Sequence, residues 1–315
     1  MHRRTVLGVL GLASLSALAS RALSAPPTPS DAPIEKPLMK NPISLAQWSL
    51  HRHFGLGRAE ERNPNPPDPC EFPNISHADY GINRVEYVNQ FYQTKIEQKN
   101  FAEDLRKRCD DLSVTSVLIM CDGEGMSGAA DESARTTFAT NHEKWLAMAK
   151  TLGCHAIRVN AIGEGDADEQ AKRCADGLTK LLAVAKQYDL NVIVENHGGL
   201  SSDGAWVVRV MKLVSDPRCG TLPDFGNWRD DAGVLQDPVK NVGLVIPFAK
   251  GVSAKSYDFN AAGDETLLDY SAIMKSVAAS NYAGAIGIEY EGKRLSESDG
   301  IRATKKLLER FGCSA

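Results

Sequence analysis

The sequence predicts a single-domain α/β fold, a (β/α)8 TIM barrel, and three observations carry that expectation. Eight short apolar runs rich in β-branched residues recur along the chain. Their starts lie about 30 to 40 residues apart, the length of one βα unit, and amphipathic stretches separate most of them. No GxGxxG or GxxxxGK[ST] turn follows any run, which disfavours the rival doubly wound sheet with its phosphate-binding loop.

The strand-like runs are Ile43–Leu50, Ile82–Val88, Val114–Cys121, Ala156–Ala161, Asn191–Glu195, Gly220–Asp224, Gly251–Ser256 and Ala285–Tyr290. Helices are expected over 97–111, 133–151, 202–215, 266–279 and 297–311. Another is expected around Leu178, Leu181, Leu182, Ala185 and Tyr188, which share one face while Lys180, Lys186 and Gln187 lie elsewhere. One stretch breaks the rhythm. Residues 51–77 hold Pro64, Pro66, Pro67, Pro69 and Pro73, so the loop after the first run is long and not helical throughout. Such a loop on the active face of a barrel is a substrate-covering lid or a structural arm.

Composition bounds the function. The chain of 315 residues is 43% hydrophobic and 24% charged, which excludes disorder and simple repeats. Residues 1–25 carry Arg3, Arg4 and Arg21 and no acid, so the remainder holds 33 basic against 40 acidic residues, a formal charge of −7. An acidic body is a poor match for nucleic acid or an anionic membrane, and no basic stretch interleaved with aromatics points to a single-strand binder. The chain opens with Arg3-Arg4 before an apolar run from Val6 to Ala19, the layout of a signal peptide over 1–25 that resembles a twin-arginine export signal. An ordinary Sec leader carrying two arginines is the alternative. Residues 26–40, with five prolines, read as an extended tether before a barrel over 41–315. Export to the periplasm or beyond follows, without stable membrane insertion, because no other segment approaches 18 apolar residues. Seven cysteines at irregular spacing make neither a disulfide framework nor a zinc site, and most read as small buried hydrophobes.

A barrel builds its active site at the C-terminal ends of its strands. The second and fourth runs supply Glu86, Arg158 and Asn160. The fifth ends in Glu195-Asn196-His197, whose first and third residues point the same way in an extended strand. The sixth ends in Asp224-Phe225-Gly226-Asn227-Trp228, the seventh contains Ser253 and Lys255, and the eighth ends in Glu289-Tyr290-Glu291. Three carboxylates on neighbouring strand ends repel one another unless a cation sits among them. A divalent metal answers this, and oxygen ligands favour Mn²⁺ or Mg²⁺ over zinc.

With these residues the sequence resembles the sugar phosphate isomerase/epimerase superfamily of xylose isomerase-like TIM barrels, over roughly 43–312. That group includes tagatose and psicose epimerases, inosose dehydratases and endonuclease-IV-like proteins. The resemblance rests on Glu195, Asp224 and Glu289 in Gly287-Ile288-Glu289-Tyr290. It implies that these three bind one divalent metal, joined in the family by a histidine of a His-x-Lys-Asp-like motif on the seventh strand. Here Ser253 stands in the histidine's place and Lys255 keeps the lysine, so His197, water or a substrate oxygen would complete the coordination.

The leading expectation is an exported isomerase or epimerase that abstracts a proton beside a carbonyl of a sugar or keto-sugar, with elimination from an oxidised glycoside as the close variant. Glu195 and Glu289 would serve as base and acid and Lys255 as oxyanion partner. Trp48, Glu86, Arg158, Asn160, His197 and Asn227 are the expected substrate-binding residues. For several of these a structural role competes: Lys255 as partner of Glu289 or Asp258, His197 as a helix cap, and Trp48 or Trp228 as core. His51 and His53 form an HxH that amidohydrolase barrels use for metal, but two loop residues beside Arg52 are the simpler reading. The alternatives are a metal-dependent hydrolase, which only seven histidines argue against, and a non-catalytic sugar-binding barrel. The expected partner is a small sugar, not nucleic acid; a homo-oligomer is an allowed assembly.

Overall fold

The computed structural model describes residues 38–315; the expected signal peptide and nearly all of the expected tether lie outside them. In chain order the elements are β1 (Ile43–Ala46), α1 (Phe72–Tyr80), β2 (Arg84–Val88), α2 (Phe101–Asp111), β3 (Thr115–Met120), α3 (Glu132–Asn141), α4 (Glu143–Leu152), β4 (Ala156–Asn160), α5 (Ala167–Ala185), β5 (Asn191–Glu195), α6 (Gly204–Val214), β6 (Cys219–Leu222), α7 (Pro238–Val245), β7 (Val252–Ser256), α8 (Tyr270–Ala279), β8 (Ile286–Tyr290) and α9 (Glu297–Arg310). The strands form one parallel sheet in the order β6-β5-β4-β3-β2-β1-β8-β7. Parallel bridges Thr221 to Ala249 and Asp224 to Ser253 bring its two edges together, giving a single-domain TIM barrel.

Local chemistry places the helices. Asp131, Asp166, Asp203, Asp237 and Asp269 accept backbone N–H bonds at the starts of α3, α5, α6, α7 and α8, and Ser296 does so for α9. The α5 stripe Leu178, Leu181, Leu182 and Ala185 is buried against the barrel as the periodicity predicts. Each such leucine contributes about 1.5–3 kcal/mol by leaving water.

Four expectations are corrected or refined. The first run is a strand only to Ala46; Gln47–Leu50 turns into a 3-10 helix, which carries Trp48 over the barrel mouth. The single helix expected over 133–151 is two. The imidazole of His142 takes the Phe138 carbonyl at 2.7 Å, an acceptor that the next helical N–H would use, and the chain breaks there. The Pro-rich loop ends in a helix, α1, that starts at Phe72 within it. α7 was not anticipated, because eight residues containing Gly243 show little periodicity. All seven cysteines are free thiols, six buried and Cys70 half-buried. Among the described residues no helix is long and apolar enough to cross a membrane.

Candidate active site

The side chains at the strand C-termini converge on one point. Glu195 at the end of β5, Asp224 just after β6 and Glu289 in β8 each bring an oxygen within 4.8 Å of the others, and all three are buried. Backbone pairing fixes their heights: Asn160 pairs with Glu195, and Lys255 with Glu289. Asp224 is held rigidly. The Asn196 side chain accepts from its N–H and donates to its carbonyl, while Gly226 and Asn227 N–H groups donate to its Oδ1.

Ser253 bridges two of the carboxylates, with its Oγ 2.7 Å from Asp224 Oδ2 and 2.9 Å from Glu289 Oε2. One hydroxyl proton serves only one of them, so the other contact needs a proton on the carboxyl or a cation in its place. Lys255, 2% exposed, sets its ammonium 3.1 Å from Glu289 Oε1, 3.2 Å from Glu291 Oε2 and 3.6 Å from Asp224 Oδ2. It also donates to Asn227 Oδ1 at 3.1 Å, while Asn227 Nδ2 donates to Glu195 Oε1 at 3.0 Å. Asn227 thus ties Lys255 to Glu195.

A second cation works from the other side. Arg158 Nε lies 2.7 Å from Glu195 Oε2 and its Nη1 lies 2.7 Å from Asp122 Oδ1. Asn160 Nδ2 donates to the same Asp122 oxygen at 2.7 Å. The guanidinium of Arg158 is taken up by carboxylates rather than left free for a ligand.

Burial and these neighbours set the protonation states. Burial pushes Glu195 and Asp224 up to about 7, against the pull of Arg158 on the first and Lys255 on the second. Burial also opposes ionisation of Asp122, but Arg158 overrides it and holds that carboxyl at about 2. The Lys255 ammonium is buried too, yet Asp224, Glu289 and Glu291 keep its proton more firmly than usual. Glu291 is lowered: Lys255 and the Trp48 indole outweigh its burial.

The other expected residues fall around this cluster. Trp48 donates its indole N–H to Glu291 and stacks on His51, with ring centroids 4.8 Å apart. His197 is exposed at the mouth and its backbone N–H donates to Ser201 Oγ. Glu86 is buried inside the barrel, where a register shift in the β2–β3 pairing falls, and bonds Ser44 at 2.5 Å. A Cβ at position 287 would lie 2.7 Å from the Glu86 carboxylate, so glycine there makes room for it. Burial pushes Glu86 up to about 8. His51 and His53 take no part: His51 faces Glu297 at 3.5 Å and His53 meets Phe54 edge to face. Trp228 is fully buried core. Sequence reasoning passed over Asp122, although an acid directly after the third run was a visible signal, and gave Glu291 no role.

The donor set fits a hard divalent cation. Glu195, Asp224 and Glu289 bring buried carboxylate oxygens within 4.8 Å of one another, and a bound cation would relieve the pressure that burial puts on Glu195 and Asp224 to stay protonated.

A family model described as a xylose isomerase-like TIM barrel matches residues 77–311. The chain belongs to that family. No curated protein sequence matches it. Among solved structures, the xylose isomerase-like barrel is similar to an IOLI protein with a bound zinc atom at 12% identity and TM-score 0.64, covering 86% of this chain and 98% of that one. It is similar to 3-keto-D-glucoside 4-epimerase from E. coli at 16% identity and TM-score 0.64, covering 86% and 99%. A xylose isomerase-like protein from Mycobacterium smegmatis in complex with magnesium matches at 14% identity and TM-score 0.62, covering 86% and 96%. At these identities the likeness is one of fold.

Proposed function

We propose that this barrel is an isomerase or epimerase that moves a proton beside a carbonyl of an uncharged sugar or keto-sugar, with elimination as a variant when a leaving group sits next to the carbanion. The observation that carries the reading is the convergence of buried Glu195, Asp224 and Glu289 around the ammonium of Lys255. Glu195, Asp224 and Glu289 would hold Mn²⁺ or Mg²⁺, which when bound polarises substrate oxygens and lowers the cost of negative charge on them.

The chain's own groups do the proton work. Glu195, a buried carboxylate whose proton affinity burial raises, is placed to take a proton from substrate and give it back. Asn227 donates to one of its oxygens, and the Arg158 charge lies beside the other. Glu289 acts from the opposite strand as the partner acid or base. The Lys255 ammonium, held by Glu289, Glu291 and Asn227, supplies positive charge beside the oxygen on which negative charge develops. Trp48, stacked on His51 and anchored to Glu291, offers an apolar face for a sugar ring and narrows the route for water. Asn160 and His197 line the rim. Both cations are committed to carboxylates, which argues against phosphorylated substrates. A hydrolase of the histidine-rich type gains no support, since the carboxylate cluster contains no histidine.

Export is part of the proposal, supported by Arg3-Arg4 and the apolar run from Val6 to Ala19. Cell fractionation with sequencing of the mature N-terminus tests it; a mature protein beginning at Met1 in the cytoplasm refutes it.

Incubating the Mn²⁺-loaded protein with ketoses and 3-keto-glycosides in D₂O tests the chemistry by proton NMR. Loss of the hydrogen beside the carbonyl, abolished by Glu195→Gln, is the expected result. Binding of sugars without any exchange would contradict it and leave a binding protein.

A further inference from the structure

At the opposite end of the barrel from the carboxylates lies a cavity of about 590 Å³. Its lining comes from residues that open the strands: Arg84 at the start of β2, Thr115 at the start of β3, His155 before β4, Lys250 before β7 and Asn281 in the loop before β8. No aspartate or glutamate lines it.

Several carbonyls around this cavity are already occupied. Asn41 Nδ2 donates to the carbonyls of Tyr282 and Gly284, both at 2.8 Å. The Tyr282 hydroxyl donates to the Ala285 carbonyl, Asn191 Nδ2 to that of His155, and Arg106 Nη1 to that of Leu152 at the end of α4. The donors, by contrast, are free: the Arg84 guanidinium and the Lys250 ammonium make no ion pair or side-chain hydrogen bond among the described residues. They are held in place nonetheless. The Lys250 stem packs so closely on Gly220 that a Cβ there would lie 2.8 Å from its Cγ and Cδ. The Lys250 backbone N–H is bonded to the Thr221 carbonyl at 2.9 Å. His155 is near enough that, after burial, the charge of Lys250 is what lowers its affinity for a proton.

Two cations with free donors and no carboxylate beside them are complementary to an oxyanion and not to a metal. We infer that this cavity is a binding site for a small molecule bearing a doubly charged oxyanion, of the phosphate or dicarboxylate kind, held by Arg84 and Lys250 with Asn281 and His155 at its edge. The ligand would dock on the inner ends of the strands, so its binding would stabilise the closed barrel by mass action.

Isothermal titration of the EDTA-treated full chain with inorganic phosphate and, separately, with succinate tests the inference, using chloride at matched ionic strength as the control. The expected result is saturable binding at one site, weakened by at least about tenfold in Arg84→Gln/Lys250→Gln, the scale of losing charge-assisted hydrogen bonds. The variant should retain wild-type Mn²⁺ titration, since neither residue belongs to the carboxylate site. Phosphate binding without succinate binding assigns the phosphate kind; binding of both assigns dianions generally. The single variant Lys250→Gln, whose change lies at a side-chain tip, repeats the test if the double variant folds poorly. Absence of saturable binding by either anion, or undiminished binding in the variants, overturns the proposal.

Discussion

Lys255 holds its ammonium 3.1 Å from Glu289 Oε1, in register with it across the β7–β8 pair, so the lysine and the carboxylate it neutralises are strand neighbours. Two residues earlier Ser253 faces the same carboxylate and Asp224. Where the resemblance in sequence implies a histidine, this chain carries a small hydroxyl and keeps the cation two residues on.

That placement makes Lys255 structural as well as chemical. Lys255→Met leaves buried carboxylates without their partner, so metal-free protein should lose about 3 kcal/mol in denaturant unfolding. Turnover should fall roughly 10²-fold, the scale of removing one oxyanion donor. Unchanged stability and unchanged kcat together would return Lys255 to a bystander.

Glu86 gives a pH test. Its carboxyl is raised to about 8 in the folded protein, against about 4.3 unfolded. A raised carboxyl makes the fold lose stability as pH climbs from the unfolded value to the folded one, because the unfolded chain releases the proton first. Glu86→Gln removes this loss. The variant should therefore gain stability relative to wild type between pH 5 and about 8. Parallel stability curves for the two proteins over that range would count against a neutral, buried Glu86.

Arg158 holds two carboxylates with two different nitrogens, a geometry a lysine cannot reproduce. Arg158→Lys should destabilise by about 2 kcal/mol and raise the Asp122 titration well above its present position near 2. Carboxyl ¹³C NMR reads the second effect directly. An Asp122 that still titrates near 2 would show that Arg158 is not what holds it.

Ser253→His restores a nitrogen donor. Mn²⁺ should bind about tenfold more tightly by calorimetry, at some cost in stability because the site around Ser253 is fully buried and tightly packed. Weaker Mn²⁺ binding would mean that position 253 does not face the cation.

The barrel was legible because most βα units repeat the same two signals, an apolar β-branched run and an amphipathic helical stretch. The carboxylate cluster was legible because barrels expose chemistry at strand ends, and Glu195, Asp224 and Glu289 stand there. The partners of Arg158 were not. Its guanidinium reaches across to Asp122 on the preceding strand and Glu195 on the following one, and only the sheet order brings these three together. The break at His142 was equally hidden, since it depends on one imidazole capturing a carbonyl inside an otherwise continuous helical pattern.

The central claim is that Glu195, Asp224 and Glu289 form one cation site beside Lys255. Anomalous diffraction from a Mn²⁺-soaked crystal measures this most directly. A single peak about 2.0–2.6 Å from an oxygen of each of the three carboxylates is the predicted result. A fully soaked crystal with no peak among them, or with manganese bound elsewhere while Lys255 alone fills the cluster, would contradict it.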